Sequence, residues 1–175
     1  MGQYFDALKE AMTLVASQPN PIILGQSVRY GGTELRRALE HVPQEILLEL
    51  PVFEDSQLGM ATGLAMSGHT VLSCYPRWNF LGIAWNQLVE HLDKIPLFGN
   101  GFNPRVLIRV AVPRDTPMNP GPQHLGDFTS GFRDMLSTVV IHRLMGPHAV
   151  IRGYEKALES TRSTILVEYA SLYDE

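Results

Sequence analysis

The sequence predicts an α/β fold: a doubly wound, mostly parallel sheet of six strands with helices on both faces. Three observations carry that expectation. Short apolar segments recur along the whole 175-residue chain. Between them lie segments whose apolar residues repeat at helical spacing. Several of the apolar runs are continuous rather than alternating, as strands buried on both faces of a parallel sheet should be.

Each element has its own justification. Residues 3–17 place Phe5, Leu8, Met12 and Val15 on one helix face, and Pro19-Asn20-Pro21 ends that helix. The Ile-Ile-Leu-Gly run at 22–25 reads as a short buried strand. Thr33 caps a small helix over 33–41. A second strand over 46–53 leads into a helix over 56–67, and 70–74 forms a third strand. An amphipathic helix over 80–92 precedes a fourth strand at 105–112. The Pro/Gly-rich stretch 113–126 is a long loop, of a length usually kept for function. A fifth strand at 137–141, a helix at 146–160 and a sixth strand at 164–169 complete the chain. Residues 1–175 are expected to form a single domain, since the length suits one core and is short for two.

Composition narrows the function. Apolar residues make up 45% and charged residues 18%, as in a folded globular chain. With a net charge of −4 and scattered basic residues, the sequence lacks the electrostatic footprint of a nucleic-acid binder. Cys74 is the one cysteine, which rules out an internal disulfide and suits a reducing compartment. No apolar run reaches membrane-spanning length, and the expected location is the cytoplasm. The six histidines show no HExxH-like spacing, so no metal site built by the chain is expected. There is no P-loop, and no Gly-x-Ser-x-Gly elbow of an α/β-hydrolase.

Ligands in such sheets bind beyond the carboxyl ends of the strands. Glu54 stands at one of those ends, at the close of the second strand. Acids are common at helix starts because the macrodipole favours them, so a cap is the ordinary reading. Asp55 or Ser56 could cap equally well, which leaves Glu54 free for chemistry. In the helix that follows, Gly59, Gly63 and Ser67 recur every four residues on one face, for close packing on the sheet or against a second subunit. The "YPRWNF" stretch at 75–80 follows the third strand; its aromatics suit either core packing or a flat heterocycle. His124 lies in the long loop, where a lone histidine is more often solvated than catalytic.

Taken in order, these segments resemble a known domain. "PVFEDSQLGMATGLAMSG", "WNFLGIAWNQLVEHLDK", "PGPQH" and the closing "ILVEYASLY" are similar to the pyrimidine-binding domain of thiamine-diphosphate enzymes. The resemblance is to the amino-terminal half of the β-subunit of 2-oxo-acid dehydrogenases, and more distantly to transketolases. It covers nearly the whole chain and implies the thiamine-diphosphate-binding fold. In that family the glutamate hydrogen-bonds a pyrimidine nitrogen of thiamine diphosphate and favours the imino tautomer that deprotonates the thiazolium carbon. Glu54 matches that catalytic residue, and His124 matches the loop histidine that meets substrate. Phe80 matches the ring packed on the pyrimidine, with Trp78 and Val52 beside it.

Departures from the family shape the expectation. Paired acids follow the first strand in the dehydrogenase β-subunits, but here the residues are Gln26-Ser27. The family's β-subunit continues into a further domain beyond the position of Tyr173. The Gly-Asp-Gly motif and downstream asparagine that hold a divalent ion on the diphosphate are missing. The resemblance therefore implies a separate diphosphate-binding subunit that holds the Mg²⁺, with the cofactor at the interface of a two-plus-two heterotetramer. The substrate would be a small 2-oxo acid or a ketose. The rival reading is a non-catalytic scaffold or regulatory subunit that keeps the fold.

Overall fold

In the computed structural model, which describes residues 2–99 and 101–175, six strands form one sheet. They are β1 Pro21–Gly25, β2 Leu47–Glu49, β3 Thr70–Tyr75, β4 Val106–Val112, β5 Val140–Arg143 and β6 Thr164–Tyr169. Their order is β2-β1-β3-β4-β6-β5, and every neighbouring pair is parallel. The expected doubly wound α/β class is what the chain adopts.

Two cores follow from the pleat, because successive strand residues face opposite ways. Leu72, Cys74, Leu107 and Leu166 face one way and pack under α1 Gln3–Ala16, α2 Glu34–Arg37 and α6 Pro147–Glu159. Val71, Tyr75, Ile108, Val110, Ile165 and Val167 face the other way. They meet α3 Glu54–Met66, α4 Trp78–Ile83 and α5 Thr129–Met135. Burial on both faces explains why β3, β4 and β6 read as continuous apolar runs. No helix among the described residues is long and apolar enough to cross a membrane.

Several boundaries differ from expectation for identifiable reasons. The helix expected over 33–41 spans only Glu34–Arg37; Thr33 does cap it, its Oγ1 accepting from Arg36 N at 3.2 Å. The second strand ends at Glu49 rather than 53: Leu50 N still donates to Gly25 O at 3.0 Å, but Pro51 has no N–H to continue the ladder. The helix expected over 80–92 begins at Trp78, breaks after Ile83 and resumes as a π-helical turn, Asn86–Leu92. Helix α5 was not anticipated, since only Thr129 and Phe132 of its seven residues are buried and so short a stripe has no readable period.

The fifth strand starts at Val140, not at 137, because Asp93 claims the amides before it. Its carboxylate accepts from Ser137 N (3.0 Å), Thr138 N (2.7 Å) and Val139 N (2.9 Å). Burial opposes ionisation of Asp93, but the Lys94 ammonium and those three amides outweigh it and hold the carboxyl down to about 2. A carboxyl lowered in the folded state stabilises the fold above its unfolded value near pH 4, and that contribution is lost as pH falls through about 2. Asp93→Asn is accordingly expected to cost about 2 kcal/mol at neutral pH. It should also flatten the decline in stability between pH 4 and 2, as urea unfolding at a series of pH values would show.

Candidate functional site

Chain progression reverses between β1 and β3, which lie side by side although β2 intervenes in sequence. Crevices for ligands form at such switch points. Gly25, the last residue of β1, has φ +150° there, and a Cβ on it would lie 2.4 Å from Cys74 O. Only glycine lets the two strands approach so closely. Beyond it, the Glu49 carboxylate fastens the following turn, accepting from Ser27 N at 2.6 Å and Arg29 N at 2.8 Å. Gln26 is thereby held at the rim of a small hollow of about 10 Å³ that it shares with Val52, Phe53, Glu54, Gln57 and Tyr75. That is room for roughly one water molecule.

Glu54 is the first residue of α3 and is only 7% exposed. Three bonds fix its position against the end of β3. Tyr75 Oη donates to Glu54 O at 3.2 Å, and Gln57 Nε2, one turn along α3, donates to Ser73 Oγ and Cys74 O, both at 3.0 Å. The capping explanation does not hold, since no side chain caps α3 and Asp55 instead accepts from Gln87 N at 3.4 Å. The Glu54 carboxyl itself receives no hydrogen bond from any described residue. Its oxygens open onto the hollow rather than being sealed in, so they are free to meet an incoming donor or acceptor.

The other site residues gather at the start of α4. Phe80 is half-buried, and its ring centre lies 5.6 Å from that of His124. His124 Nδ1 is 3.2 Å from Asn79 Oδ1, which docks the tip of the long loop on α4. Arg77 places its guanidinium carbon 5.8 Å from the Phe80 ring centre. Val52 is 63% exposed and borders the Glu54 hollow. Trp78 is fully enclosed and stacks on Phe132, with centroids 5.1 Å apart. Its ring supports α4 from beneath and presents no face outward. Thus Glu54 and Val52 share one hollow, Phe80 and His124 touch each other, and Trp78 lies under the second pair.

The small-residue stripe of α3 divides along its length. A Cβ on Gly59 would meet Gln87 Oε1 at 3.4 Å, so this glycine serves packing within the chain. A Cβ on Gly63 would meet nothing within 4 Å. Apolar residues also occupy the outer sides of these helices, where Met60, Met66, Ile83 and Trp85 are exposed. Sequence reasoning missed Gln57, Arg77 and Asn79. Gln57 had a signal in its place one helical turn after Glu54; the other two had none beyond their neighbours.

Comparison with known proteins bears on the fold and the family resemblance. No family model matches the chain. It is 26% identical over 176 residues to a pyruvate dehydrogenase E1 component subunit beta of Staurastrum punctulatum, and 24% identical over 174 residues to that of Chaetosphaeridium globosum. Each match takes in 97% of the chain, which spans about half the length of these curated relatives. Among solved structures, a split-gene transketolase in an inactive β4 tetramer superposes with a TM-score of 0.68 at 15% identity, covering 96% of this chain and 50% of that one. A 2-oxoglutarate:ferredoxin oxidoreductase from Magnetococcus marinus, with 2-oxoglutarate, coenzyme A and succinyl-CoA bound, gives 0.65 at 12% identity, covering 99% and 30%. These relatives bear out the resemblance to dehydrogenase β-subunits, and the solved structures bear out the transketolase-like fold.

Proposed function

We propose that the chain is the pyrimidine-binding subunit of a split thiamine-diphosphate enzyme, an oxidoreductase or transferase acting on a small 2-oxo acid or a ketose. One observation supports the reading: a largely buried glutamate, Glu54, whose carboxyl has no hydrogen-bonding partner among the described residues, at the switch point of a transketolase-like sheet. The residues fit the group. Protonated Glu54 would donate to a pyrimidine nitrogen, Phe80 would pack on the ring, and Val52 would border it. Trp78 would hold the helix that carries Phe80. When bound, thiamine diphosphate supplies an acidic thiazolium carbon that becomes both nucleophile and electron sink. Glu54 would hold the proton that sets the pyrimidine tautomer, and His124, fixed by Asn79 and Phe80, would meet the substrate from the loop.

A hollow the size of one water does not enclose a pyrimidine, which suits a site completed by a second subunit. We place the diphosphate-binding site and its Mg²⁺ on that subunit. Among the described residues, no three His, Cys, Asp or Glu side chains are grouped to hold a metal. The exposed Met60, Met66, Ile83 and Trp85, and the open Gly63, suit burial in an assembly, of which a two-plus-two heterotetramer is the simplest symmetric form. The unpaired, buried Cys74 suits the cytoplasm.

Reconstitution tests the proposal. The chain is combined with its diphosphate-binding partner, thiamine diphosphate and Mg²⁺, and turnover is followed with 2-oxo acids and ketoses. Phe80→Ala should weaken cofactor retention about tenfold and leave subunit association unchanged. Equal losses in both would make Phe80 structural. A non-catalytic scaffold is the second reading, favoured by Gln26-Ser27 where the family carries paired acids. It predicts assembly without turnover.

A further inference from the structure

Toward the α1 side of the sheet, next to the Glu54 hollow and sharing Tyr75 and Pro76 with it, a much larger hollow of about 380 Å³ opens at the carboxyl ends of β3, β4 and β6. That volume falls in the range of small-molecule sites. Its floor is built from two enclosed charges, Arg109 (2% exposed) and Glu168 (1% exposed). Both are fully engaged. Arg109 Nε and Nη2 donate to the two Glu168 oxygens, Arg109 Nη1 donates to Leu35 O at 3.3 Å, and Tyr173 Oη donates to Glu168 Oε2 at 2.8 Å. The floor is therefore rigid and neutral overall, and it asks nothing further of an occupant.

The walls and the mouth differ from the floor. Leu35, Ala111 and the loop residues Pro113, Met118 and Pro120 give apolar sides. At the rim, Glu34 pairs with Arg37, and Arg114 pairs with the exposed Asp174. Among the described residues Arg77 has no carboxylate partner, and its guanidinium lies against the Phe80 ring. Among the described residues every acid lining the hollow is thus neutralised, and one lining cation is left over. Apolar walls with a single surplus guanidinium at the mouth select an organic anion whose charge sits at one end.

We propose that this hollow binds an organic carboxylate with an apolar body, its carboxylate on Arg77 and its body among Leu35, Ala111, Met118 and the loop prolines. The two hollows meet at Tyr75 and Pro76, and Arg77 also touches Phe80, but the binding proposed here is to the chain without thiamine diphosphate or a second subunit and does not rest on thiamine chemistry.

The test titrates the full chain with 4-phenylbutyrate, its neutral amide and inorganic phosphate, by calorimetry and by amide chemical shifts. The carboxylate should bind saturably in the millimolar range or tighter, with the amide and phosphate each at least about tenfold weaker. Arg77→Gln should reduce carboxylate affinity to the level of the amide without moving the thermal midpoint. Ala111→Phe should fill the hollow and abolish binding of both organic probes. Equal affinity for carboxylate and amide, phosphate matching the carboxylate, or indifference to Arg77→Gln would overturn the proposal. So would the lack of saturable binding up to about 10 mM.

Discussion

Replacing Glu54 with glutamine is expected to lower turnover of the reconstituted enzyme by about 10²–10⁴-fold while leaving fold and assembly intact. The two halves of that expectation have separate physical grounds. Glutamine matches glutamate in size, and the Glu54 side chain neither caps α3 nor bonds to a described neighbour. What holds the residue in place is its backbone carbonyl on Tyr75 and the Gln57 bonds to β3, and these survive the change. The amide has no ionisable proton, however, so it cannot sustain the acid–base role proposed for the carboxyl. Steady-state rates with saturating thiamine diphosphate and Mg²⁺, together with the thermal midpoint of the complex, check both halves. Near-normal turnover would refute the catalytic role.

The largest loss of stability is expected from Glu168→Ala, about 3–5 kcal/mol, because it strands the Arg109 guanidinium in the core. Burial by itself would push Arg109 down, but the adjacent Glu168 carboxylate holds it well above its ordinary value. Without that partner, the guanidinium would be left among Met12, Leu35 O and Tyr154 with one full charge unanswered. Tyr173 would lose its acceptor as well. A drop of roughly 10 °C in the thermal midpoint corresponds to such a loss in a chain of this length. Pairing Glu168→Leu with Arg109→Met should recover much of it, since apolar replacement of a whole buried pair is often neutral or better. A small effect from Glu168→Ala alone would mean that water reaches the pair.

How much of this was written in the sequence depends on the range of each interaction. The sheet was readable because double-sided burial leaves continuous apolar runs, as in Val106–Val112 and Thr164–Tyr169. Glu54 was readable because a charge that closes an apolar run lies near the carboxyl edge of the sheet, although the strand itself stops at Glu49 and Glu54 opens α3. Arg109 and Glu168 were visible as charges inside apolar strands, yet their pairing needs β4 beside β6, an adjacency that no local pattern records. Asp93 shortening the fifth strand from 44 to 46 residues away is of the same kind. Trp78 was grouped with Phe80 as an aromatic face, but the half-turn of helix between them sends the first into the core against Phe132 and leaves the second half-exposed beside His124.

The central claim is that Glu54 sets the protonation state of a pyrimidine held between this chain and a second subunit. Hydrogen–deuterium exchange at the thiazolium C2 of thiamine diphosphate, measured by quenched-flow NMR in the reconstituted complex, tests it without a substrate. The account predicts rapid exchange with Glu54 present. It also predicts a fall of about a hundredfold or more with Glu54→Gln, at cofactor occupancy shown to be equal. Exchange that is as fast with glutamine as with glutamate would contradict it.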